Sequence, residues 1–293
     1  MSAQPTRLAE RLANGEFTVA MEVHPPRGFD LTATLDRVRA VVPHLHAVNV
    51  ADSPRAQGRM SALAACSLLQ TGLGVETILH IAIRHRNLLA LHSDLLGAHA
   101  LGARNVFVVL GDKPAGGDYP SATEVSDVTS SGLIRIMADL NAGVGANGAP
   151  TEAPASFCIG AALNLNADDM DAELRVLERK VNAGAHFLLT QPVYDPERVE
   201  RVAQRLGGFP LPVLLGVLPL RTLRHAEFLD ATVPGISVPR EVHERLRRSP
   251  DVRAEGIAIS QELLRAARGR IGGAYFMPPF ERYAIVQETM SGL

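Results

Sequence analysis

Short apolar runs alternate with longer amphipathic segments along almost the whole chain. Runs rich in Val, Ile, Leu and Phe fall at 17–23, 47–51, 76–83, 105–112, 156–163, 186–191, 212–220 and 271–277, and their length and composition predict strands. Between them, apolar residues recur at helical spacing over about 31–43, 55–71, 87–102, 129–141, 168–183, 195–206, 221–230 and 250–268. The 168–183 segment shows why. Met170, Leu174, Leu177 and Val181 form one apolar stripe, Asn and Asp residues stand ahead of it as caps, and "NAGAH" supplies a glycine stop.

Eight strand–helix pairs in alternation predict a parallel sheet with helical crossovers. The count, with a length of 293 residues, predicts a closed (β/α)8 TIM barrel forming one domain over 1–293. No GxGxxG or P-loop pattern follows any strand, which disfavours an open dinucleotide-binding sheet. "NAGVGANGAPTEAPAS" (141–156) reads as a surface loop entering the fifth strand, and 231–250 as a second long excursion.

Barrel chemistry sits at the C-terminal ends of the strands. There the sequence places Glu22 and His24, Asn49 and Asp52, His80 and Arg84, then Asp112, Asn164 and Gln191. Alternation sets Phe17, Val19, Met21 and Val23 on one face of the first strand and Thr18, Ala20, Glu22 and His24 on the other. The larger apolar set suits the sheet–helix layer, so Glu22 is expected to face the barrel axis. Asp112 is read as sharing an inward face with Val106, Val108 and Leu110, and Gln191 with Phe187 and Leu189. A glutamate, an aspartate and a glutamine around one axis suit proton transfer and hydrogen bonding to a flat heterocycle. The plainer alternative for each is a capped or solvated residue at a polar rim.

Other polar positions carry less. His92, His99, His225 and His243 read as surface or second-layer residues. "RHRN" (84–87) sets two arginines past a strand end, to meet either phosphate or solvent, and Lys180 complements a helix C-terminus. No Ser/His/Asp or Cys/His nucleophile set is apparent.

Composition narrows the class. Apolar residues make up 46% and charged residues 20%, the net charge is −2, and no block of like charge occurs. That is unlike a dedicated binder of nucleic acid or anionic membrane. Cys66 and Cys158 lie far apart without a CxxC pattern, so neither a disulfide framework nor a metal site is expected. "MSAQPTRLAERLANGEF" has no signal-peptide core, and no apolar run reaches spanning length. A soluble, cytoplasmic protein is the expectation.

Seven segments in order then resemble one family. "MEVHPPRG", "VNVADSPRAQGRMS", "HIAIRHRNLLALHSDLLGAHALGARNVFVVLGDKP", "LERKVNAGAHFLLTQPVYD", "VLLGVLPL", "VPGISVP" and "YFMPPFERY" together resemble the methylenetetrahydrofolate reductases. The likeness runs from about Phe17 to Tyr283 and is greatest to the bacterial branch that also occurs fused to a homocysteine methyltransferase domain. The two isolated cysteines do not supply that domain's thiolate zinc site, so a stand-alone reductase is expected.

The resemblance implies a barrel that binds FAD and, alternately, folate and a nicotinamide donor, NADH or NADPH. It implies reduction of 5,10-methylenetetrahydrofolate to 5-methyltetrahydrofolate. Glu22 would be the general acid that opens the imidazolidine ring, a role suited to a desolvated carboxyl of raised pKa. Asp112 would lie beside flavin and pterin, and Gln191 would hydrogen-bond the folate. His80, Glu173, Lys180 and Ala185 fall where the family contacts flavin.

The chain departs from the better-known flavoenzymes at several such positions. Leu110 stands for an arginine, Leu163 for a tyrosine and Ala51 for a threonine, and His85 for the aspartate of "RDRN". Lost arginine and aromatic contacts weaken a flavin site more than a folate site. Two alternatives therefore stay open: direct hydride transfer from NADH without flavin, and a folate-binding subunit that needs a redox partner. An aldolase on the same barrel would need an inward Schiff-base lysine, which the strands lack. The donor is undetermined between NADH and NADPH, and a homo-oligomer is left open.

Overall fold

The structure, a computed structural model, describes residues 4–293. Its elements follow as α1 (Arg7–Ala13), β1 (Thr18–Val23), α2 (Thr32–Arg39), β2 (Ala47–Val50), α3 (Ala62–Leu73), β3 (Glu76–Ala82) and α4 (Leu88–Ala100). Then come β4 (Asn105–Val109), α5 (Ser130–Asn141), β5 (Cys158–Leu163), α6 (Met170–Asn182), β6 (Phe187–Pro192), α7 (Pro196–Arg205) and β7 (Val213–Val217). The chain closes with α8 (Leu223–Thr232), α9 (Arg240–Arg248), α10 (Val252–Ala267), β8 (Gly273–Phe276) and α11 (Ala284–Met290). The strands pair in parallel, each with its sequence neighbour, and β8 returns to β1 to complete a closed (β/α)8 barrel.

Two apolar layers follow from strand alternation. Val19, Met21, Val48, Val106, Ile159, Leu188 and Leu215 point outward and pack beneath the helices. Ala20, Ala47, Ile78, Phe107, Cys158, Phe187, Leu214 and Tyr275 fill the interior. Gly160 makes room there, because a Cβ on it would collide with the Phe187 ring.

The N-terminal stretch, for which periodicity predicts no element, contains α1, which closes the lower mouth of the barrel. Leu8 and Leu12 enter the interior cluster. The Glu76 carboxylate accepts from the Arg7 and Leu8 amides at 2.9 Å each, satisfying two donors that a helix start leaves open. The excursion at 231–250 contains α9, whose Val242 and Leu246 pack with Leu229 of α8 and Ile259 of α10. The helix expected from 55 begins only at Ala62, since Ser53, Arg55 and Ala56 take left-handed φ values in a tight turn.

Candidate active site

β1 carries Glu22 to the upper rim on the inward face, above Ala20. Past the strand, Pro25 and Pro26 hold the exit rigid. Arg59 donates to the Pro25 carbonyl at 2.8 Å, and the Met60 amide to that of Pro26 at 2.9 Å. His24 Nε2 lies 2.9 Å from Glu22 Oε1, and the Tyr275 hydroxyl donates to Oε2. Glu22 keeps 18% of its side chain exposed and His24 34%.

The electrostatics of Glu22 reverse the sequence-based expectation of a raised pKa. Burial pushes the carboxyl up, but the His24 hydrogen bond and charge, the nearby His80 and the Tyr275 hydroxyl outweigh it. The result is about 2. In the free protein Glu22 is a carboxylate.

Gln191 reaches the same cleft by a different device. The pairing of β6 with β7 runs in register to Leu189↔Leu214 and resumes shifted at Pro192↔Gly216. This bulge re-aims the chain, so Gln191 faces the cleft and solvent. Gly216 permits it, because a Cβ there would strike the Thr190 and Gln191 carbonyls. The cleft holds about 850 Å³ over β1, β6, β7 and β8, walled by Leu218, Phe228, Met277 and Phe280, with Arg55, Arg59 and Arg224 at its margin. A mainly apolar concavity with a few convergent polar groups is the usual form of a small-molecule site.

Three residues in or beneath the cleft escaped sequence reading. His24 was seen only as a rim residue, yet it bonds Glu22. Tyr275 was hidden in an apolar strand, although its alternation with Gly273 already placed it inward. His225, expected at the surface or in the second layer, lines the cleft and packs against Phe280 with ring centroids 5.6 Å apart.

Asp112 is placed differently from its expected inward face. Val106 and Val108 belong to the outer layer and Phe107 to the inner one, so alternation carries Asp112 with the outward set. β4 also ends at Val109, and Gly111 at φ 88 breaks the alternation. Asp112 Oδ2 accepts from the Arg55 amide at 2.5 Å, and its carbonyl lies 2.9 Å from His85 Nε2. The loops after β2 and β4 join here. The Asp118 amide donates to the Ala56 carbonyl at 3.2 Å, and the Gly58 amide to Asp118 Oδ2 at 2.9 Å.

The remaining positions tied to flavin by resemblance do not converge on the cleft. His80 is 5% exposed inside the barrel, bonded to Asn49 Nδ2 at 3.0 Å, and burial lowers its pKa to about 4. Glu173 accepts from the Asn164 amide at 2.9 Å. Lys180, 7% exposed, donates to the Ala162 carbonyl at 2.6 Å. Ala185 is buried ahead of β6, at the opposite end of the strand from Gln191. These groups are engaged within the chain, and the joined loops cover the rim between β2 and β4. The arrangement does not fit a flavin cradle.

The two arginines of "RHRN" are engaged as well. Arg84 donates to the Gly111 carbonyl at 2.6 Å and pairs with Glu124, while Arg86 pairs with Asp52 and Asp94. Among the described residues no cluster of three metal-ligating side chains occurs, and no helix is long and apolar enough to cross a membrane.

The family model for methylenetetrahydrofolate reductase matches residues 7–273. This chain belongs to that family. The 5,10-methylenetetrahydrofolate reductase of Escherichia coli is 26% identical over 240 residues, covering 79% of this chain and 75% of that protein. Methylenetetrahydrofolate reductase 1 of Schizosaccharomyces pombe is 26% identical over 215 residues, but the match spans only 32% of its length. Among solved structures, a Clostridium thermocellum protein described as binding two copies of 5-methyl-5,6,7,8-tetrahydrofolic acid superposes with a TM-score of 0.68. It shares 13% identity, with 98% of this chain and 100% of that one covered, and this likeness concerns the fold. A 2,3-dimethylmalate lyase of TM-score 0.54 and 14% identity shares the barrel too, so function in this family is read from the cleft.

Proposed function

We propose that this protein reduces 5,10-methylenetetrahydrofolate to 5-methyltetrahydrofolate with a reduced nicotinamide as hydride donor. Family membership supports the reaction class. The observation that carries the reading is Glu22, an ionisable group on the barrel axis, sharing one cleft with the free amide of Gln191. A pterin is flat and edged with donors and acceptors, which an amide can pair in both senses. The folate-binding description of the Clostridium protein on the same fold is in keeping with this.

In this reading Gln191 orients the pterin and Glu22 hands a proton to the ring nitrogen that leaves the methylene carbon. The apolar walls of Leu218, Met277 and Phe280 exclude water from the cation that results. The hydride then adds to that carbon. No step is assigned to a flavin, because the groups that would hold one are bonded elsewhere in the chain. Direct transfer from the nicotinamide is therefore the form of the reaction favoured here.

The test is one preparation and two measurements: the absorption spectrum of the fresh protein, and oxidation of NADH and of NADPH with methylenetetrahydrofolate. A colourless protein that turns over supports the reading. A flavin spectrum with full occupancy overturns the direct route, and absence of turnover with either donor overturns the reaction.

A further inference from the structure

The reaction proposed above consumes a proton as well as a hydride, so each turnover must reload the acid. Glu22 is poorly placed to do this from solvent by itself, with 18% of its side chain exposed and both oxygens already bonded. His24 is well placed. Its Nε2 is 2.9 Å from Glu22 Oε1, its side chain is 34% exposed, and it lines the cleft beside Glu22. We propose that His24 and Glu22 form one proton-delivering unit, in which His24 takes protons from solvent and passes them to Glu22.

This inference rests on the folate-reducing reading of the cleft. The step balances as follows. His24 Nε2–H gives its proton to Glu22 Oε1. Glu22 gives a proton to N10 of the folate as the bond from N10 to the methylene carbon breaks, with the electron pair left on N10. The N5 iminium accepts hydride from the nicotinamide, which leaves oxidised, and neutral His24 regains a proton from water. One proton and one hydride enter, and one methyl group is formed.

The other groups around Glu22 do not serve as the relay. Tyr275, from β8, is 4% exposed, and burial with the Glu22 charge holds its hydroxyl well above its usual range. His80, from β3, is buried and bonded to Asn49. Arg55 and Arg59, from the loop after β2, carry guanidinium groups that do not release protons at neutral pH. Beyond β8, the Tyr283 hydroxyl is buried and lifted above its usual range, and Glu281 pairs with Arg37 at 2.8 Å. His225, from α8, lines the cleft as well and is the rival the experiment must address.

His24 acts through Glu22, so it is a positioning and relay residue, and a pH profile separates that role from a structural one. Nicotinamide oxidation with methylenetetrahydrofolate is followed across pH for wild type, His24→Gln, His24→Ala and His225→Gln, with melting curves for each. Glutamine keeps a donor to the carboxylate but carries no transferable proton. H24Q is expected to lose about a hundredfold in kcat, with the folate KM little changed and the basic limb of the profile flattened. Added imidazole is expected to restore rate to H24A. If wild type turns over and H24Q matches it in kcat and profile, the relay is wrong while the reading of the site stands. Loss of the basic limb in H225Q but not H24Q also overturns it. If wild type itself oxidises no nicotinamide with this folate, the underlying reading fails first.

Discussion

The hydroxyl of Tyr275 donates to the carboxylate of Glu22 across the seam where the last strand of the barrel meets the first. The two residues are 253 positions apart in sequence, and barrel closure alone brings them together. With His24 on the other oxygen, the bond helps hold the Glu22 carboxyl at about 2 in spite of burial.

Removing that donor is expected to loosen this hold. In Tyr275→Phe the Glu22 pKa rises by about one unit, the worth of one hydrogen bond to a charged group. Carbon NMR of labelled glutamate reads this directly. An unshifted Glu22 resonance across the titration contradicts the assigned bond.

His80 sets a pH dependence of stability. Its folded pKa of about 4 lies below the ordinary 6.5, because burial disfavours the charged ring. Between those values the unfolded chain binds a proton that the folded chain does not, so acidification through this window lowers stability. The loss is about 3 kcal/mol at most. His80→Gln should flatten that part of the profile in urea melts run between pH 7 and 4. An unchanged slope contradicts a neutral buried His80.

Asp52 and Arg86 form a pair whose loss should cost more than a surface bridge. Asp52 is 3% exposed at its side chain, meets Arg86 at 2.5 Å, and also accepts from the Ala82 amide at 2.9 Å. Asp52→Ala leaves the Ala82 amide without its acceptor and takes from Arg86 the more buried of its two carboxylates, Asp94 remaining at 2.8 Å, at a cost of about 2 kcal/mol. Chemical denaturation measures it, and a change below about 1 kcal/mol would place the pair with ordinary surface bridges.

Phe280 stands 72% exposed at the cleft, with φ 57, flanked by His225 and with the Arg221 guanidinium 5.6 Å from its ring. A left-handed bulky residue costs about 1–3 kcal/mol, against about 0.5–1 kcal/mol for the chain freedom of glycine. Phe280→Gly is therefore expected to keep or raise the melting temperature while raising KM for a substrate of the cleft. A lower melting temperature with unchanged KM contradicts a functional origin for the strain.

Much of this was legible in the sequence, for physical reasons. Periodicity marked eight strands because interior and exterior layers both demand apolar residues, and strand parity turned Glu22 inward. Gln191 reaches the cleft through the β6 bulge, which periodicity does not show. Parity failed for Asp112 because the face it was read on, with Val106 and Val108, packs outward beneath the helices, and Phe107 is the inward residue. α1 was missed because only Leu8 and Leu12 of its seven residues are buried, too few for a periodic signal. The Glu22 environment was read with the wrong sign. Sequence shows that a carboxyl enters a strand and so predicts desolvation, but not that a residue two positions on and another on the last strand both bond it.

Turnover of Glu22→Gln against wild type, in nicotinamide oxidation with methylenetetrahydrofolate, tests the central claim most directly. Glutamine fills the same space and still bonds Tyr275 or His24, but it has no proton to transfer at the carboxyl. The account predicts a loss in kcat of about 10²–10⁴-fold, with folate binding by calorimetry largely retained. Wild-type turnover in that variant would contradict it.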